Sequence, residues 1–485
     1  METHEEERRP RVGRRLLICA LAGSVVLGGA LAWWPWERAV PVRVAPASGS
    51  QALTAVVAGV PAGLPDLGAL IGEREARVRA RPKDAVSWAV LGAAYVEQGR
   101  RTADAANYPL AERALRTSLS VRKDRNAAAL DGMAALANAR RDFRAARTWG
   151  EAALKAEPGR WTTYPLLIDA YTGLGDYKAT TRTLDRLLEL HGGPAVRARA
   201  AAVYRDRGRR EDAAAAIYDA AAGASTPAEQ AAWLERAGQL AWERGELEDA
   251  LRRFQEAVRL DPDQRAAQAG QGRTLAAMGR TTEALTAYQM ALARQPCPQY
   301  ALELGELYES LGMRDAARAE YDVLRTRVGQ DMAGGVDDEL VLGIYEADHG
   351  YPAAAVRRLR AEWQRQPGVE VADALGWALH RAGDDKEALR FASVATDRVH
   401  GGAVRSAPYM YHLGMIEREL RQDGPARRHL QEALRINPYF SPLGVREARA
   451  ALAALGEPPD VAVPDEEAGD ENAPDAKGDD QKAPD

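Results

Sequence analysis

Cysteine is almost absent: of 485 residues only Cys19 and Cys297 carry a thiol. Cys19 lies in an apolar N-terminal run, so Cys297, between Pro296 and Pro298, has no partner within the chain. Neither a disulfide framework nor a cysteine metal site follows. Aromatic residues make up only 6% of the chain, and the 46% apolar content is largely Ala, the best helix former. The β-branched and aromatic side chains that strands favour are sparse. Excess charge of one sign is missing too: 65 basic and 70 acidic residues leave a net charge of -5. That balance argues against nucleic acid as the main partner, which needs a concentrated basic face.

Catalytic and metal-binding signatures are also missing. There is no HExxH, CxxC or GxSxG. His4, His191, His349, His380, His400, His412 and His429 include no pair at the i,i+4 spacing of helical metal ligands. Gly270-Gln271-Gly272-Arg273-Thr274 lacks the Lys and the preceding strand of a phosphate loop. No enzyme activity, cofactor or metal is expected.

Long hydrophobic runs are absent apart from one. Residues 16–34, LLICALAGSVVLGGALAWW, carry no charge and match the ~20 residues that span a hydrocarbon core. Arg8, Arg9, Arg11, Arg14 and Arg15 precede the run and Trp33, Trp34 and Trp36 close it. Basic residues on one side and interfacial aromatics on the other suit a single-pass anchor at residues 16–36 of a bacterial cytoplasmic membrane. The basic N-terminus, residues 1–15, would then lie inside and the rest of the chain outside. Ala30-Leu31-Ala32 also fits a cleavage site, so secretion after cleavage near Ala32 stands as the alternative.

What is present is repetition. Segments starting near residues 85, 127, 161, 194, 231, 265, 298, 336, 369 and 407 align, mostly 33 to 38 residues apart. A period near 34 is that of a helix-turn-helix unit. A small residue recurs eight residues in: Gly92, Ala134, Ala201, Gly238, Gly272, Gly305, Gly343, Gly376 and Gly414, broken only by Ile168. A second small position holds Ala111, Ala146, Thr180, Ala213, Ala250, Ala284, Ala317, Ala355, Ala388 and Ala426. Small side chains at both places let two helices cross closely. Tyr288 and Leu292 are placed to fill the space toward the next repeat. A turn position holds Gly99, Gly175, Gly208, Gly245, Gly279, Gly312, Gly350 and Gly383, with Arg141 and Arg421 as exceptions. Gly there eases a left-handed helix end. Pro165, Pro352, Pro408 and Pro425 fall in first turns of expected helices, and Pro158, Pro262, Pro296, Pro367 and Pro438 at helix ends.

Trp88-x-x-Leu91-Gly92-x-x-Tyr95 and the grid around it resemble the tetratricopeptide repeat family, over residues 85–440. The general likeness is to membrane-anchored or exported tetratricopeptide proteins of high-GC bacteria. The resemblance implies an all-α, right-handed α-α superhelical solenoid of about ten repeats. Residues 67–84 would form an N-terminal capping helix and 441–456 a C-terminal one. Residues 37–66, with Pro41, Pro46, Pro61 and Pro65, read as a flexible linker, and an insertion near 101–108 as a longer turn. Residues 457–485, with eleven acids and two lysines, read as a disordered acidic tail.

The resemblance also implies that the first helix of each repeat lines a concave groove. There, repeat positions two, five, nine, twelve and thirteen include Arg205, Asp206, Trp242, Arg273, Glu306, Trp377, His380, Arg381, Tyr411 and Arg418. Trp, Tyr and Arg are frequent interface hot spots, although Trp242 and Trp377 are equally compatible with core packing. The family's carboxylate clamp is not supported, because position nine never holds Asn. The implied function is a non-catalytic scaffold binding a protein or peptide partner in the groove. The alternative is an accessory subunit of a cell-envelope enzyme or transport complex, binding glycan or a membrane-protein partner.

Overall fold

The computed structural model describes residues 48–397 and 403–456. Among the described residues are 23 α-helices and no strand. A hairpin of α1 (Ser48–Ala58) and α2 (Leu64–Ala80) comes first. Ten helical pairs follow in register with the sequence repeats. The first five are α3 (Ala85–Thr102) and α4 (Asn107–Val121), α5 (Ala127–Ala139) and α6 (Phe143–Ala156), α7 (Thr163–Gly173) and α8 (Tyr177–Leu190), α9 (Pro194–Asp206) and α10 (Arg210–Gly223), α11 (Pro227–Glu243) and α12 (Leu247–Leu260). The second five are α13 (Arg265–Ala277) and α14 (Thr281–Arg294), α15 (Pro298–Ser310) and α16 (Arg314–Ala333), α17 (Glu339–His349) and α18 (Pro352–Arg365), α19 (Val369–Arg381) and α20 (Asp385–Thr396), α21 (Ala407–Glu419) and α22 (Asp423–Ile436). Helix α23 (Gly444–Ala454) ends the array. The described pairs form a right-handed α-α solenoid.

Local chemistry starts and stops these helices. Asp84, Asp142 and Asp176 each accept the backbone N–H three residues on, at 2.9 to 3.1 Å, satisfying an orphan donor of the first turn. The ten small residues expected on each second helix are all buried. On six first helices the small residue, a Gly, meets a large side chain from its own repeat, while Gly376 meets the backbone of Ala388 and Ala392. A Cβ on Gly238 would lie 2.7 Å from Phe254, on Gly272 2.6 Å from Tyr288, and on Gly343 2.6 Å from Leu359. Tyr288 covers its own Gly272 and also reaches the next repeat, where its Oη donates to Glu303 at 3.0 Å. Burying a side chain of that size contributes roughly 1.5–3 kcal/mol, which a bulkier residue at the glycine would forfeit.

The turns obey a backbone rule that is stronger than residue type. Gly175, Gly208, Gly245, Gly279, Gly312 and Gly383 have φ from 70° to 86°. Arg141 and Arg421, the two exceptions in the sequence, adopt φ of 59° and 60° all the same. In the first repeat the turn moves: α3 runs to Thr102, Ala103 takes the left-handed place at φ 50°, and Gly99 stays inside the helix against Tyr108. Gly350 also departs, with φ -130°.

The expected linker differs from the structure from Ser48 onward. Ala52, Ala55 and Ala62 are buried against Leu67, Leu70 and Ile71, so α1 and α2 make a full hairpin on the first repeat. The prolines mark its joints: Pro61 lies between the helices and Pro65 in the first turn of α2. No helix among the described residues is long and apolar enough to cross a membrane. The expected anchor or signal at 16–36 and the acidic tail at 457–485 lie outside the described residues.

Successive coils of the superhelix touch. The Phe143 N–H donates to Gln366 Oε1 at 3.1 Å, 223 residues away. The Val369 N–H donates to Tyr177 Oη at 3.0 Å, 192 residues away. Arg210 donates to Arg405 O at 3.3 Å and Asn437 to Trp242 O at 2.8 Å, both pairs 195 residues apart. The Asp337 N–H donates to Arg140 O at 3.0 Å. In repeats two to five, the turn inside each pair meets the loop that leaves the pair five repeats later. Gly175 and Gly208 permit the approach: a Cβ on Gly208 would lie 2.5 Å from Ala403 O, and one on Gly175 would collide with Pro367 O.

Candidate functional site

The first helices of the pairs carry a polar ladder that runs from repeat to repeat. On α9, Arg205 donates through Nε and Nη2 to both carboxylate oxygens of Glu243 on α11, at 2.8 to 3.1 Å. Gln239 donates to Glu243 at 3.1 Å and accepts from Arg273 of α13 at 2.7 Å. Arg273 then reaches Glu303 on α15 through Nε at 3.2 Å and Nη2 at 3.1 Å, and Tyr288 Oη donates to the same carboxylate at 3.0 Å. Arg–carboxylate forks of this kind fix side-chain direction as well as charge.

The ladder resumes on α15 and α17. His349 lies 3.6 Å from Glu306 and 3.1 Å from Glu309, its ring stacked on Tyr321 with centroids 4.6 Å apart. Asp348 accepts the Trp377 indole N–H at 3.0 Å and pairs with Arg381 at 3.2 Å. Asp373 on α19 pairs with His412 on α21 at 2.9 Å, and that imidazole stacks on Trp377 at 4.3 Å.

Burial and neighbouring charges shift the titrations here. Burial pushes the Asp206 carboxyl up to about 6; Glu370 and Glu243 add to the rise, and Arg205 opposes it. Burial likewise raises Glu306, helped by Asp348 and Glu303 against His349. For His349 burial is the largest influence and lowers the pKa, but Glu306, Glu309 and Asp348 together outweigh it, and the net shift is upward. Asp206 belongs to repeat four and Glu370 to repeat nine, so the two coils act on one another's charges. Enclosed as they are, the side chains keep solvent contact, 37% for Arg205 and 22% for Glu306.

The sequence-predicted residues divide into groups. Arg205, Asp206, Arg273, Glu306 and Arg381 stand in the ladder. Trp242, Trp377 and Tyr411 are core residues, 6%, 5% and 4% exposed. Trp377 offers the ladder its N–H to Asp348 and its ring face to His412, and Tyr411 donates to Glu447 of α23 at 2.6 Å. His380 turns to Asp385 at 2.5 Å, toward the helix turn. Arg418 is half-buried and makes no ladder contact. Sequence reasoning passed over Gln239, Glu243, Glu309, Asp348, Glu370 and Asp373, all at the five repeat positions it named. Glu303, His349 and His412 sit one residue outside those positions, and only the structure identifies them. Among the described residues no group of three His, Cys, Asp or Glu side chains is placed to hold a metal ion.

The sequence model of the tetratricopeptide repeat matches residues 199–265, 235–296 and 269–331. Residues 199–331 are thus similar to tetratricopeptide repeats. A comparison with curated proteins returns no match. Among solved structures the chain is similar to the human IFIT1 dimer with m7Gppp-AAAA, at 16% identity, over 64% of this chain and 71% of that one, with a TM-score of 0.45. It is also similar to a tetratricopeptide repeat protein from Parabacteroides merdae, at 15% identity, over 54% of this chain and 98% of that one, with a TM-score of 0.32. A third is the APC/C hetero-tetramer Cut9-Hcn1, at 15% identity, over 81% of this chain and 94% of that one, with a TM-score of 0.31.

Proposed function

We propose that the chain is a non-catalytic interaction scaffold that holds a protein or peptide partner along the inside of its superhelix. Residues 16–36 would anchor it in a bacterial cytoplasmic membrane, or serve as its export signal, with the repeats outside. The observation that carries the reading is the polar ladder from Arg205 to Asp373, enclosed by two coils yet in contact with solvent. Stacked repeats hold these groups in place before a partner arrives, which lowers the ordering cost of binding.

The partner chemistry follows from the charge along the ladder. Asp206, Glu243, Glu303, Glu306, Glu309, Asp348 and Asp373 outnumber Arg205, Arg273 and Arg381. An extended segment bearing Lys or Arg suits that surface, and its attraction would fade as salt screens it. The test is fluorescence polarisation with arginine-rich, acidic and uncharged peptides of equal length, and a short single-stranded RNA as control. Selective binding of the basic peptide, weakened by salt and reduced about tenfold or more in Glu306→Gln/Asp348→Asn, is expected. Equal binding of all peptides, or an unchanged affinity in that variant, would count against the reading.

A further inference from the structure

The seam between the coils has two free edges. In the first coil the turn glycines are crowded by the second: Gly175 by Pro367 O, Gly208 by Ala403 O, and Gly245 by Pro438 at 3.1 Å. In the second coil, a Cβ on Gly279, Gly312 or Gly383 would meet nothing within 4 Å. The departing loops show the mirror pattern. In the second coil Gly334 presses on Ala105, 2.5 Å from a built Cβ, and Gly368 lies 3.3 Å from Gly173 O. In the first coil Gly159 and Gly192 meet nothing within 4 Å. Among the described residues, the one far-side contact on the open turns is Arg446, which donates to Ser310 O at 3.2 Å.

The two edges differ from each other, and each matches what the other half of the molecule already binds. Such a heterologous contact does not use itself up: a molecule that offers its turns still has its loops free. The open turns expose Leu311, Met313 and Tyr351, the last at 80%. Arg314 stands at the repeat position of Arg210, which spans the seam to Arg405 O. The open loops carry exposed Arg81, Lys83, Arg122, Lys123 and Arg125 against Asp124, a basic edge, while the open turns carry Asp315, Asp384 and Asp423 beside Arg280, Arg314 and Arg421.

We propose that a second copy of this chain seats its first-coil loops on the second-coil turns, continuing the seam from molecule to molecule, head to tail. The contact joins edges, so the α1–α2 hairpin stays in place and α23 gives up only the Arg446 bond to Ser310 O. It is independent of what the inner ladder holds.

The test is sedimentation velocity of the full chain in detergent over a concentration series. Met313→Glu/Tyr351→Glu blocks the turn edge and Arg122→Glu/Lys123→Glu the loop edge; all four side chains are exposed. For the natural chain, the weight-average mass is expected to climb past about twice the monomer mass as concentration rises. Each variant alone should stay at monomer mass with an unchanged melt. Mixed together, the variants should form one dimer and nothing larger, because each supplies the edge the other lacks. A natural chain that stays monomeric, association untouched by either variant, or a mixture that stays monomeric would overturn the proposal. So would association that appears only after deletion of residues 457–485, because the tail would then be the occupant.

Discussion

Arg421 holds a left-handed backbone at φ 60° that L side chains resist, at the place where most repeats put Gly. Its side chain is exposed, so little is lost with it. Arg421→Gly should raise stability by about 0.5–1 kcal/mol, the relief of strain exceeding the extra chain entropy of Gly. Urea denaturation checks this, and a destabilised variant would contradict the assigned turn. Asp206 stores a different cost. Its folded pKa of about 6 lies above the ordinary 3.8, so between those values the folded chain keeps a proton that the unfolded chain releases. Stability therefore falls as pH rises through that window, and the whole penalty is present above about pH 6. Asp206→Asn should be more stable than the natural chain by on the order of 1 kcal/mol at pH 7, with solvent contact holding the gain down. At pH 4 the two should melt alike; a gain equal at both pH values would assign the effect to packing instead.

Helices and pairs were the most legible scale. Smallness where two helices cross is a local demand repeated ten times, so it shows in one sequence, and the knobs over Gly238 and Gly272 follow from it. Helix α1 was not legible. Four prolines between 41 and 65 suggested a linker, yet Pro46 precedes the helix and Pro61 follows it. Its one buried face, Ala52 and Ala55, is too small to announce a core. Ala52→Asp should cost about 2–4 kcal/mol by forcing a carboxylate against Leu67 and Leu70. A thermal melt identical to the natural chain would return this segment to a linker. The aromatic groove candidates Trp242, Trp377 and Tyr411 went into the core because large rings at those helix positions fill the gap between neighbouring first helices. The shorter polar chains beside them, such as Glu243 and Asp348, join the ladder.

The closure of the coils could not be seen in the sequence at all. Its bonds run largely to backbone carbonyls such as Arg405 O and Trp242 O, which leave no pattern of side chains, and its partners lie about 195 residues apart. Gly208 and Gly279 look alike in the sequence because both serve a left-handed turn; only position in the superhelix tells which one also admits a neighbour. Closure places Asp206 beside the charge of Glu370. Two spin labels report it directly: Arg209→Cys and Val404→Cys, with Cys19 and Cys297 replaced by Ser, measured by pulsed electron paramagnetic resonance. Touching coils predict a short, narrow distance distribution between the labels. A long, broad distribution, as for repeats four and nine of an open solenoid, would contradict the account.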